Sequence, residues 1–201
     1  MSTRIPKKAN SIEKKERLAE TCFYLICENG FQNINSSIIC DRAKVSVGTF
    51  YAYYKDINDI LEYSLKKYSL PILFPIHNNL NLLKFNKNTI TKTINKMFNI
   101  SLEVHTMTNK SHQNILSVIY SNQNYLNFHK KSFDNEVEAI YQKCLQNGFK
   151  EENLKETIHT TLILIESFVH DKTFNKSPYI DYEKQRLFIT QTLLKLWSMH
   201  I

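Results

Sequence analysis

The sequence predicts an all-α protein: an N-terminal three-helix helix-turn-helix domain followed by a C-terminal helical bundle. Three observations lead there. The 201 residues include only 3 glycines and 4 prolines, too few for the many turns of a β-protein and suited to long helices. Apolar residues recur at three- and four-residue intervals through most of the chain, as one helix face requires. No segment alternates polar and apolar residues for long enough to force a sheet. A composition of 42% hydrophobic and 22% charged residues is that of a chain folding around a core.

The first helix is expected after Asn10, which with Glu13 has the form of a capping box. Leu18, Cys22, Leu25 and Ile26 form its apolar stripe, Gly30 is its left-handed stop, and Phe31 can fold back onto it. A short second helix fits Ser36 to Ala43, capped by Asn35 or Ser36, with Ile38, Ile39 and Ala43 inward. Lys44 and Val45 make a tight turn. A third helix starts at its cap, Ser46, and runs to Tyr54, turning Phe50 and Tyr54 towards the core of the module. Asp56 caps a fourth helix, with Asp59 in its first turn and Ile60, Leu61 and Leu65 on its apolar side. Pro71, Pro75 and an asparagine-rich stretch then break the pattern. The junction is placed at 68–75, giving domains 1–68 and 69–201. Helical patterns resume over 89–107, 111–121, 124–146 (stopped by Gly148), 152–168 and 181–199.

Charge and composition narrow the function. The net charge is +7 and the pI near 9.1. Residues 1–55 carry nine lysines and arginines against five acids, so the basic surplus is densest at the front, as an anionic partner would favour. No apolar run reaches the length of a membrane span, and Met1 to Asn10 are polar and basic, so a cytoplasmic protein without a signal peptide is expected. Cys22, Cys27, Cys40 and Cys144 form no C-x-x-C pair and read as reduced residues, three of them in the core. Of the seven histidines, none pairs at i, i+4 with another, and no carboxylate completes a metal set; no metal and no cofactor are expected. With Gly30, Gly48 and Gly148 as the only glycines, a phosphate-cradling loop is out of reach. A nucleophile elbow is absent too, so no enzyme is expected.

The stretch 35–54 is two short helices joined by a tight turn, the form that places its second helix in the DNA major groove. That helix opens with the small residues Ser46, Val47, Gly48 and Thr49, which permit close approach to bases and phosphates. Thr49 offers a hydroxyl to a base edge and a methyl to thymine. Tyr51 and Tyr53 can flank the groove and donate to phosphate; Ser36, Lys44 and Lys55 border it. Arg4, Lys7 and Lys8 are candidates for an arm in the minor groove.

Gly30-Phe31, Ile38-Ile39-Cys40, Ala43 and the run from Val45 to Tyr54 resemble the N-terminal domain of the tetracycline-repressor (TetR) family over about residues 12–65. Three positions depart from the family pattern: Cys40 stands for alanine, Lys44 for the turn glycine, and Ile57 for a lysine that holds phosphate. Lys55, or the backbone N–H groups above Asp56, could take over that contact. The resemblance implies a homodimer on a palindromic double-stranded operator, repressing until a small-molecule effector releases it. It implies a dimer interface on the last two helices, here Leu154, Ile158, Leu162 and Ile165, then Leu187, Leu194 and Trp197. His105, Tyr120, Phe128 and Phe168 are the candidates for an apolar or aromatic effector. The alternatives are a helical protein-interaction module with weakened DNA binding and a regulator without an effector.

Overall fold

The computed structural model describes residues 9–30, 32 and 34–201, which are largely helical and contain no strand. The helices are α1 (Ala9–Asn29), α2 (Ser36–Ala43), α3 (Val47–Tyr53), α4 (Ile57–Tyr68), the short α5 (Leu70–Leu73) and α6 (Pro75–Asn78), α7 (Ile90–Met107), α8 (Asn109–Tyr120), α9 (Gln123–Gln146), α10 (Leu154–Phe174) and α11 (Tyr182–Ser198). Among the described residues no helix is long and apolar enough to cross a membrane.

The chain divides into two compact units. One holds the residues up to Leu73 together with Lys110–His129; the other holds Phe74–Asn109 and Lys130–Ile201. The junction after Leu73 lies inside the stretch 68–75 read from the sequence. A single cut does not describe the division, however, because 110–129 return to the first unit.

In the first unit, Leu18, Cys22 and Ile26 of α1, Ile39 of α2, Phe50 and Tyr54 from α3 and its end, and Ile60, Leu61 and Leu65 of α4 are all buried. Caps set the helix starts. Asn35 Oδ1 accepts the Ile38 N–H at 3.0 Å, Ser46 Oγ accepts that of Thr49 at 3.2 Å, and Asp56 Oδ1 accepts that of Asp59 at 3.0 Å. Each such cap contributes about 1 kcal/mol. Gly30 ends α1 at φ +63°, and a Cβ there would meet Ser117 Oγ of α8 at 3.1 Å. Beside it, Asn114 Nδ2 of α8 donates to the Cys27 carbonyl at 2.8 Å, satisfying one of the orphan carbonyls of the helix end. Two expectations change. Asn10 lies inside α1 and so is not its cap, while Glu13 pairs with Arg17 at 3.3 Å. Ile38 is exposed, leaving Ile39, Cys40 and Ala43 as the inner face of α2. Phe31, Arg4, Lys7 and Lys8 lie outside the described residues.

The second unit packs α7, α10 and α11 against one another. Its core is aromatic: Phe98 meets Phe168 edge-on at 5.3 Å, and Trp197 lies against Phe85 at 6.1 Å and Phe149 at 5.6 Å. Polar groups are built into it. Trp197 Nε1 donates to Thr161 Oγ1 at 2.9 Å, Thr157 Oγ1 is 2.8 Å from His200 Nε2, and buried Glu136 accepts the His77 N–H at 2.6 Å. Cys22, Cys40 and Cys144 are buried and Cys27 half-buried, all as free thiols. Burial pushes Cys22 and Cys144 up to about 12, so neither forms the reactive thiolate near neutrality.

Candidate nucleic-acid interface

The helix-turn-helix is α2, the turn at Lys44–Val45, and α3. Lys44 sits at φ 54°, ψ 49°, the left-handed conformation that a glycine adopts without cost, and its N–H returns to the Asp41 carbonyl at 3.2 Å. A lysine thus performs the turn expected of a glycine, at a conformational cost of about 1 kcal/mol, and holds an exposed ammonium at the turn.

From α3, Phe50 and Tyr54 point inward. The Tyr54 hydroxyl donates to the Lys15 carbonyl at 3.1 Å, tying the end of α3 to α1. Ser46, Val47, Gly48 and Tyr51 are exposed, and Thr49 and Tyr53 half-buried. Ser46 Oγ and Thr49 Oγ1 are 3.0 Å apart, so the hydroxyl assigned to base reading is already oriented by the helix cap. Tyr51 Oη lies 3.5 Å from Ser36 Oγ across the two helices. Gly48 has an ordinary helical φ, and a Cβ there would meet only Ser46 Oγ, at 3.8 Å. The fold itself therefore does not require glycine at 48.

Beside α3 opens a cleft of about 470 Å³ lined by Asn10, Ser11 and Lys14 of α1 and by Ser46, Thr49 and Tyr53. The three α1 residues escaped the sequence reading, although Lys14 belongs to the basic surplus at the front. The opening of α4, where Ile57 stands, is held by two acidic side chains. The Lys55 N–H donates to Asp59 Oδ2 at 2.8 Å and the Asp59 N–H to Asp56. Of the N–H groups above Asp56, that of Asp59 is thus taken by one of the protein's own carboxylates, and the Lys55 side chain stands exposed beside it.

The candidate effector residues divide between the units: Tyr120 and Phe128 belong to the first, His105 and Phe168 to the second. Tyr120 is exposed, whereas Phe168 is a core residue packed on Phe98 and Tyr182. His105 is fully buried and is not alone. Glu166 Oε1 lies 2.9 Å from His105 Nε2 and 3.0 Å from His170 Nε2. Burial pushes the Glu166 carboxyl up, but hydrogen bonds from the two imidazoles and their charges more than reverse this and hold it at about 2. The sequence reading, which found no carboxylate to complete a metal set, missed this group because one of its members is distant in sequence. Glu166 and His170 are the i, i+4 pair, and His105 arrives from another helix.

The assignment of the dimer interface requires correction. Leu154, Ile158, Leu162, Ile165 and Trp197 are almost wholly buried within the protomer. Each belongs to the stripe by which α10 or α11 enters its own core, so none is left for a partner. Of the seven, only Leu187, which is exposed, and the half-buried Leu194 remain. The large apolar side chains that α10 and α11 do expose are Ile163, Leu187 and Phe188, the last 69% accessible.

No protein-family model and no curated protein matches the sequence. Solved structures do match its fold. One, assigned as a transcriptional regulator from Streptomyces coelicolor A3(2), is 12% identical with a TM-score of 0.68, covering 92% of this chain and 98% of its own. Another, assigned as a TetR-family transcriptional regulator from Syntrophomonas wolfei, is 19% identical with a TM-score of 0.59, covering 93% and 96%. The chain shares the fold of these two structures over nearly its whole length.

Proposed function

We propose that this protein is a DNA-binding transcriptional regulator that works as a homodimer on a palindromic operator, with a small molecule bound in the second unit controlling release. The observation that carries the reading is Gly48. It sits exposed in the second helix of a helix-turn-helix, at a position where the fold has room for a side chain and no need of a glycine. A residue without Cβ at such a place suits a surface that comes up against the helix from outside, and the polar cleft with Lys14 next to it suits a phosphate backbone. Lys44, Tyr51 and Lys55 border the same helix and supply the phosphate contacts; Val47 and Thr49 face the bases. Two copies would set their α3 helices about 34–36 Å apart, or a multiple of it. The outward apolar side chains of α10 and α11, Ile163, Leu187 and Phe188, are the surface offered to the second copy.

The test is fluorescence anisotropy with the full chain, DNA flanking its own gene and a scrambled control, at two salt concentrations. The reading expects tight selective binding by the native protein. Gly48→Ala is expected to raise the urea midpoint, by about 0.5–1 kcal/mol of stability, while lowering operator affinity at least tenfold. Equal, weak binding to both DNAs that is lost at modest salt would instead mark the basic front as generic.

A further inference from the structure

We infer that His105, Glu166 and His170 form a binding site for one divalent transition-metal ion of the zinc, cobalt and nickel class. These three residues all belong to the second unit, and the inference stands whether or not the DNA reading holds.

The argument begins with the protons. His105 Nδ1 is 2.7 Å from the Ser101 carbonyl oxygen. A carbonyl only accepts, so Nδ1 carries hydrogen, and in the neutral ring Nε2 then presents a lone pair. That lone pair faces Glu166 Oε1 at 2.9 Å, an oxygen that also only accepts. The same oxygen is 3.0 Å from His170 Nε2. Three potential donor atoms thus converge on one point from two helices, and Nε2 of His105, Nε2 of His170 in its Nδ1–H tautomer and the Glu166 carboxylate can each offer a lone pair to a shared cation.

Geometry and surroundings agree. Metal bonds to imidazole nitrogen and carboxylate oxygen are about 2.0–2.2 Å, which puts neighbouring donors of one ion about 3 Å apart. The three donor groups already lie within 4.8 Å of one another. The Nδ1–H donated to the Ser101 carbonyl is the support that metal-binding histidines usually receive, since it fixes ring and tautomer. Phe174 packs on one side, its ring 5.0 Å from His170 and 5.9 Å from His105. Two imidazoles and one carboxylate favour borderline divalent ions over calcium or magnesium, which prefer all-oxygen sets.

The experiment uses the full chain without an affinity tag, stripped with a chelator and dialysed. Zinc chloride is titrated by calorimetry and cobalt chloride by visible absorption. The inference expects one ion per chain and cobalt bands that saturate at that ratio. Glu166→Gln and His170→Ala should each weaken binding at least tenfold, whereas His159→Ala, an exposed histidine outside the group, should leave it unchanged. His105→Ala empties a buried position and can cost the fold, so the near-isosteric Glu166→Gln and the half-exposed His170→Ala carry the test, with folding checked by circular dichroism. No saturable uptake, or uptake that neither variant reduces, would overturn the site and leave a proton-bridged cluster.

Discussion

The two units place their polar groups differently, and two glutamates show it. In the first unit Glu16 of α1 sits at the rim, where one carboxylate accepts from Tyr63 at 2.7 Å, Tyr68 at 3.2 Å and Lys67, all of α4. In the second unit Glu136 of α9 is buried with a backbone N–H for a partner. Burial alone raises both carboxyls. For Glu16, the hydrogen bonds of Lys67 and the tyrosines, together with the ammonium charge, reverse it and leave the group below its ordinary value. For Glu136, the His77 N–H recovers only part, the Glu166 charge adds to the rise, and the carboxyl stays at about 8. A buried acid without a cation keeps its proton; one with a cation loses it.

The largest expected effect sharpens the contrast between core and interface. Trp197→Ala should cost about 3–5 kcal/mol in urea unfolding, as loss of a core aromatic does. If Trp197 is core and not interface, the destabilisation will not shrink as protein concentration rises; recovery at high concentration would return the residue to the interface.

The next compares the units by pH. Glu136 holds a proton in the folded state that the unfolded chain releases above about 4.5. Its contribution is therefore fully present below that pH and is lost as pH rises through about 8. Glu136→Gln should flatten this slope and make the protein more stable than the native chain above pH 8, by roughly a few kcal/mol. A slope left unchanged in a pH series of urea midpoints would remove the contrast.

The smallest effect has the opposite sign. The lowered Glu16 stabilises the fold above the ordinary carboxylate range, and that contribution is lost as pH falls through its lowered value. Glu16→Gln should cost no more than about 1 kcal/mol at neutral pH, because the clasp is partly solvated, and nothing once the native carboxyl is protonated.

The same contrast explains what could be read in advance. In the first unit the signals are local: Ser46, Asp56 and Asn35 cap the helices whose starts they mark, and Gly30 ends the first one at positive φ. The run from Val45 to Tyr54 carries most of the candidate site in consecutive residues. In the second unit the helix positions were legible, but their faces were not. Both α10 and α11 are apolar on more than one side, so periodicity could not separate Leu154 or Ile158, which enter the core, from Ile163, which does not. Glu166 and His105 are 61 residues apart, and their meeting depends on how α7 packs on α10.

The return of 110–129 to the first unit has a consequence for how such proteins can be recombined. A chimera joined after Leu73 would part Cys27 from Asn114 and Asn58 from Tyr125, whose hydroxyl donates to its carbonyl at 3.3 Å. A working graft must carry both stretches of sequence, so the heritable module is larger than the motif and is not one continuous piece of gene.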